Sequence, residues 1–328
     1  MTWIGDAAIE RLRTLDDEPD FSGTRYEIVE RIGRGGMGTV FRGRDRALDR
    51  EVAIKVTTLA TASDAERLRA EARTLARLEH PGIAAVHDVG QLPDGRVFTV
   101  MTLVRGERLD VRAAALPLAD RLRLFDRICD AVAFAHAQGI VHRDLTPANI
   151  MVGVHGQVLV LDWGLAQRDP STNPLEGPDP GQSGVRVGSE PGQSGVRDGS
   201  GPYRRGFRPG GTEGYVAPEA GTHKLDARAD VYALGAILRG LLPSPGTRML
   251  RPLESIVRRA MATDPADRYP GAAELAADVR QFTDGGAVSA HRETVGERTV
   301  RLARTYRTPI ALVLAYLAMR GLLLFWQA

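Results

Sequence analysis

The chain has 328 residues, 43% of them hydrophobic and 26% charged, which is the composition of a soluble globular protein and excludes a disordered or fibrous one. Its 43 cations nearly balance its 41 anions, so it lacks the one-sided basic surplus that grips a nucleic-acid backbone. Only Lys55 and Lys224 are lysines, the other 41 cations being arginines; the single cysteine, Cys129, excludes a disulfide within the chain, fits a reducing compartment and reads as a small buried hydrophobe.

Residues 1–24 carry Asp6, Asp16, Asp17, Glu18 and Asp20 without an apolar run, so they do not read as an export signal. A short helix over residues 7–15 fits, closing before Pro19. From Tyr26 to Leu103 the pattern is strand-like and punctuated by glycines, with one helix expected over residues 65–78 behind a capping box of Ser63 and Glu66. Inside this stretch residues 32–40 read IGRGGMGTV. Their four glycines let a hairpin close over phosphate oxygens without side-chain obstruction. The run VAIK then ends a half-buried strand in Lys55, a compact ammonium suited to phosphates. In a chain that uses arginine almost everywhere else, a retained lysine argues for chemistry. Glu71, on the expected helix, is its candidate ionic partner.

Beyond Leu116 apolar residues recur at helical spacing (Leu118, Leu122, Phe125, Ile128, Cys129, Val132, Ala133) until Gly139. Two phrases follow: VHRDLTPANI over residues 141–150, and LDWG over residues 161–164. Asp144 and Asn149 lie five apart on a loop, and Asp162 follows a strand-like VLVL run. Together they supply one carboxylate to orient a hydroxyl and two oxygen ligands for magnesium, the hard cation that accompanies nucleotide phosphates. Residues 169–211 hold 11 Gly, 7 Pro and 5 Ser among 43, and contain PGQSGVRVGSE followed at once by PGQSGVRDGSG. That composition buries too little apolar surface to order itself.

Helical patterns return over residues 226–242 and 253–282, followed by a polar linker. From residue 309 to 328 the one charged side chain is Arg320, and 20 helical residues span about 30 Å, the thickness of a bilayer core. With Arg292, Arg298, Arg301, Arg304 and Arg307 upstream, the expectation is a single-pass inner-membrane helix that leaves the rest of the chain in the cytoplasm. Against it, a mid-span arginine costs roughly 2.5 to 3.5 kcal/mol. The alternative is a cytoplasmic protein whose terminal helix packs on the domain or on a partner.

On GGMGTV, HPGI, VHRDLTPANI, LDWG, GTEGYVAPE and DPADRYP, the chain resembles the bacterial eukaryotic-like serine/threonine protein kinases over about residues 26–282. The resemblance implies an α+β, two-lobed fold: a small β-rich lobe with one major helix (about 25–103) and a larger, mainly helical lobe (about 104–282), with ATP between them. It implies a nucleotide site of Ile32, Gly33, Arg34, Gly35, Gly36, Met37, Gly38, Val40, Ala53, Lys55, Met101, Thr102, Leu103, Val104 and Met151. Glu71 would hold Lys55, Asp144 would accept the hydroxyl proton, and Asn149 and Asp162 would ligate magnesium, with manganese as a substitute. Glu219 would pair with Arg268, Asp230 would brace the catalytic loop from below, and Arg143 would clamp a phosphorylated activation segment that ends near Thr212. Partners would be proteins with Ser/Thr acceptors, a second copy of the chain and the membrane, but no nucleic acid.

Three departures qualify this picture. Thr146 stands where the family carries a lysine that touches the γ-phosphate, a loss worth roughly tenfold to a thousandfold in turnover if nothing compensates. This makes a nucleotide-binding pseudokinase or signalling scaffold the competing expectation. Trp163 replaces the usual phenylalanine and keeps a large aromatic plug. The segment from Asp162 to Glu219 spans 58 residues, lengthened by the duplicated insert, whose Ser183, Ser189, Ser194 and Ser200, with Thr212, offer hydroxyls for autophosphorylation.

Overall fold

The computed structural model describes residues 18–35, 38–57, 76–163, 167–168, 214–221, 225–243 and 250–292, with isolated positions between 66 and 75 and beyond 292. Five antiparallel strands form the first lobe: β1 (Tyr26–Gly35), β2 (Gly38–Asp45), β3 (Arg50–Thr57), β4 (Val86–Gln91) and β5 (Val97–Thr102), in the order β1-β2-β3-β5-β4. β3 holds the centre because its run Val52, Ala53, Ile54 and Val56 is buried. Phe21, Tyr26, Phe41, Ile54, Phe98 and Val100 close a small core on one face of the sheet. Between β3 and β4, Glu66, Arg69, Ala72, Arg73 and Leu75 are helical, within the helix expected there, and a turn at residues 76–77 ends it three residues early. Its capping serine, Ser63, lies outside the described residues.

The second lobe is helical with two small sheets. Strand β6 (Gly106–Arg108) leads to α1 (Leu109–Ala114) and the long α2 (Leu118–Ala137), whose buried Leu122, Phe125, Ile128, Cys129, Val132 and Ala135 recur at helical spacing. The short strands β7 (Ile140–Val141), β8 (Ile150–Gly153), β9 (Val158–Val160) and β10 (Gln167–Arg168) pair as β6-β8-β9 and β10-β7. Then come α3 (Ala227–Leu241), capped by Asp226 on the Arg228 N–H at 2.8 Å, α4 (Arg251–Ala260) and α5 (Ala272–Thr283). The helical run expected over residues 253–282 is therefore two helices, parted around Pro265 and Tyr269. A core from α2 through α5 includes Ile83 of the first lobe, and Ile83 bridges Val160, the last residue of β9. This tie anchors the strand that delivers Asp162.

The helix expected at residues 7–15, the repeats at 180–201 and their hydroxyls, and Thr212 lie outside the described residues. So does most of the expected membrane span. Its described helical positions, Leu312, Tyr316, Leu317, Met319 and Trp326, are exposed. No helix among the described residues is long and apolar enough to cross a membrane, so the fold gives the expected anchor no support.

Candidate active site

The glycine-rich hairpin is the turn between β1 and β2, where Gly33 pairs with Val40 and Gly35 with Gly38. Gly38 has φ +147°, and a Cβ there would sit 2.2 Å from the Val56 carbonyl oxygen, so no other residue fits without moving β3. Gly33 and Gly35 keep open space above them: a Cβ at Gly33 would meet Val40 alone, at 3.8 Å, and one at Gly35 would meet nothing within 4 Å. Gly36 and Met37 lie outside the described residues, as does Glu71.

Lys55 sits on β3 between Val40 of β2 and Thr99 of β5. Its side chain, 15% exposed, donates from Nζ to Asp162 Oδ1, joining residues 107 apart in sequence. Ala53 is buried on the same strand, opposite Met101. Val40, Met101, Thr102, Leu103, Val104 and Met151 are half-buried, while Ile32 and Arg34 are exposed on β1. Thr102 is held from behind by a 3.2 Å hydrogen bond between its hydroxyl and His87 Nε2 on β4.

In the second lobe, Asn149 ends a 3₁₀ turn (Pro147–Asn149), and its Nδ2 donates to the Asp144 carbonyl at 2.7 Å and to Asp144 Oδ2 at 3.2 Å. The Asn149 carbonyl accepts the Leu161 N–H at 2.8 Å, which ties this turn to the residue before Asp162. Burial pushes the Asp144 carboxyl above its usual range, and the neighbouring Asp162 charge adds to the rise against His142, Asn149 and Lys55. Thr146, at the entry of the same turn, is buried.

Two residues of the cleft loops, Arg143 (φ +68°) and Asp162 (φ +57°), occupy the left-handed backbone region that non-glycine residues visit at a cost of about 1–3 kcal/mol. Asp230, fully buried on α3, holds the first of them: it accepts the Arg143 N–H at 2.8 Å, the His142 N–H at 2.7 Å and His136 Nε2 at 2.9 Å. Burial works to raise the Asp230 pKa, yet these bonds outweigh it and hold the carboxyl below its usual value. His142 is buried, its Nε2 donating to the Leu161 carbonyl at 2.9 Å while Nδ1 accepts the Asp144 N–H at 3.3 Å, which sets its tautomer. Its ring lies 4.5 Å from that of Trp163, which is itself buried and bonded to the Val160 carbonyl at 3.3 Å. Below, Arg268 donates to both Glu219 oxygens at 2.6 and 2.7 Å and to the carbonyls of Arg228, Ala262 and Thr263, filling its fork while buried.

The structure thus brings Lys55, Asp144, Asn149 and Asp162 together and places Asp230, Arg268 and Glu219 beneath them. Sequence reasoning missed His136, His142 and His87. The signal for His136 was a lone imidazole one residue past the buried Ala135 of α2; for His142 it was a place two residues before Asp144.

Residues 26–184 match the protein kinase domain family. The chain is 33% identical over 322 residues to serine/threonine-protein kinase PknB of Mycolicibacterium smegmatis, covering 87% of this chain and 47% of that protein. It is 33% identical over 289 residues to serine/threonine-protein kinase pkn3 of Myxococcus xanthus, with 76% and 48% covered. Over 224 residues it is 38% identical to the DNA damage-responsive serine/threonine-protein kinase RqkA of Deinococcus radiodurans, with 65% and 29% covered. The chain spans about half the length of the first two and less of the third.

Proposed function

The chain belongs to the bacterial eukaryotic-like serine/threonine protein kinases, and from that premise we propose that it transfers the γ-phosphate of ATP to serine and threonine hydroxyls of proteins, itself included. The observation that carries this reading is the ion pair of Lys55 with Asp162 beside the hydrogen-bonded Asp144 and Asn149.

The family implies ATP and a divalent metal, and the residues present fit both. Open space over Gly33 and Gly35 leaves backbone free to approach phosphates, and buried Ala53 with half-buried Met101 and Met151 offers apolar walls for a base. Asp162 Oδ2 and the Asn149 amide oxygen are hard donors of the kind magnesium takes, and manganese would suit them too. The metal, when bound, neutralises charge on the transferring phosphate.

Lys55 holds Asp162 in place and adds a point charge to the phosphate site. Asp144 orients the acceptor hydroxyl and takes its proton, a role favoured by a pKa lifted by burial. Asn149 keeps Asp144 turned into the cleft at 3.2 Å. Arg143 is positioned by Asp230 to meet a phosphorylated activation segment, whose hydroxyls include Ser183, Ser194 and Thr212.

Thr146 supports a second reading, a nucleotide-binding scaffold, because a buried hydroxyl stands in place of the family's cation. Incubating the purified chain with labelled ATP and magnesium, beside the Asp144→Asn variant, separates the two: label on the chain or on a generic protein acceptor, lost in the variant, supports the kinase. No incorporation supports the scaffold. The low charge of residues 309–328 still supports a membrane tether, which detergent-free fractionation tests: recovery wholly in the soluble fraction removes it.

A further inference from the structure

After α5 the chain folds back onto the lobe it has just completed. Val288 is buried and Ala290 packs against the helical core. What holds them is Asp278, an acidic residue in the buried stripe of α5. It accepts four hydrogen bonds: from the Tyr269 hydroxyl at 2.8 Å, the Ser289 N–H at 2.8 Å, the Ser289 hydroxyl at 2.7 Å and the Ala290 N–H at 3.1 Å. Arg259 of α4 lies over the Tyr269 ring at 4.4 Å and donates to Ser289 Oγ at 3.1 Å, while Ser255 meets His291 at 3.2 Å. Burial works to raise the Asp278 pKa, and the donors from Ser289, Tyr269 and Ala290 overcome it. This is a built clasp, and Ser289, at its hub, is exposed.

We propose that Ser289 is a phosphoacceptor and that its phosphorylation opens the clasp, freeing the chain that follows α5. The proposal rests on the serine kinase reading above. In the transfer, Ser289 Oγ attacks the γ-phosphorus, its proton passes to the Asp144 carboxylate of the acting kinase, and the bond to the bridging oxygen breaks to release ADP.

The consequence follows from the geometry. At 2.7 Å the hydroxyl must donate its hydrogen to Asp278 Oδ2, and a phosphoserine has no such hydrogen. In its place stands a group of roughly −1.5 to −2 charge against a carboxylate. Arg259 attracts that phosphate toward α4, away from Asp278. As Ser289 leaves, the Ser289 and Ala290 amides lose their acceptor and Val288 loses its cover. Residues 285–292, eight in all, then pay out at up to about 3.3–3.6 Å each, lengthening the tether by roughly 26–29 Å. A longer tether changes the effective concentration of the kinase domain near whatever its C-terminal segment binds.

The test uses the dephosphorylated full chain. After incubation with ATP and magnesium, peptide mass mapping is expected to find phosphate on Ser289. Separately, hydrogen exchange across residues 286–292 is expected to be about tenfold faster in Ser289→Glu than in Ser289→Ala, which keeps both backbone bonds to Asp278. Phosphate elsewhere but not on Ser289 overturns the proposal and leaves the kinase reading standing. No phosphate anywhere overturns both, and equal exchange in the two variants overturns the release.

Discussion

Asp144 and Asp230 are both carboxylates withdrawn from water at the catalytic loop, and burial pushes the pKa of each upward, yet it prevails at Asp144 and is overruled at Asp230. The difference lies in the donors. Asp230 receives two backbone N–H groups and an imidazole, whereas the Asp144 carboxylate receives one long bond from Asn149 and faces a second carboxylate, Asp162. A saturated buried carboxylate is architecture; an under-saturated one is held ready to take a proton. The same contrast separates the filled Arg268–Glu219 fork from the Lys55–Asp162 pair, in which Asp162 Oδ2 has no hydrogen-bond partner among the described residues and the side chain is 36% exposed.

The largest effect is expected at the under-saturated site: Asp144→Asn should lower phosphoryl transfer by about a hundredfold to ten-thousandfold while leaving the urea midpoint nearly unchanged. At the saturated site the pattern should reverse in kind. Asp230→Ala strands the His142 and Arg143 amides and releases the left-handed backbone at Arg143, so denaturant unfolding should show a loss of about 3 kcal/mol, with activity falling as a consequence. An Asp144→Asn variant that unfolds as readily as Asp230→Ala would erase the distinction.

Acid should pull the two functions apart more gently. Asp144 must be ionised to accept a proton, so with its pKa raised the acidic limb of kcat/KM should lie above the usual aspartate value of 3.8. Asp230 and Asp278 have folded pKa values below 3.8, so the stability they supply is present above that pH and is lost as pH falls below it, through their folded values. Activity is therefore expected to fail at a higher pH than the fold, as activity and circular dichroism measured on one pH series will show. The smallest effect is expected at Thr146: Thr146→Lys should raise turnover about tenfold if the missing cation limits the rate. An unchanged rate would mean that Lys55 and the metal suffice.

Much of this was legible in the sequence because it depends on local order. The glycine spacing from Gly33 to Gly38, the strand that carries Lys55, and the five-residue step from Asp144 to Asn149 are fixed by a few consecutive residues, as are the helices over 118–137 and 227–241, whereas the run over 253–282 hid the break between α4 and α5. The clasp at Asp278 was not legible: its partners, Tyr269 and Ser289, lie 9 and 11 residues away across a helix and a turn, and nothing in their order says that they meet.

What the sequence by itself determined is the cast of chemical groups and the order in which strand, loop and helix deliver them, since turn chemistry and hydrophobic periodicity act over a few residues. Only the tertiary structure decided which carboxylate would be saturated. Asp144 and Asp230 are the same residue type, and which of them keeps a raised pKa depends on donors brought from α2 and the catalytic loop and on the Asp162 charge that follows β9, segments that only packing places side by side.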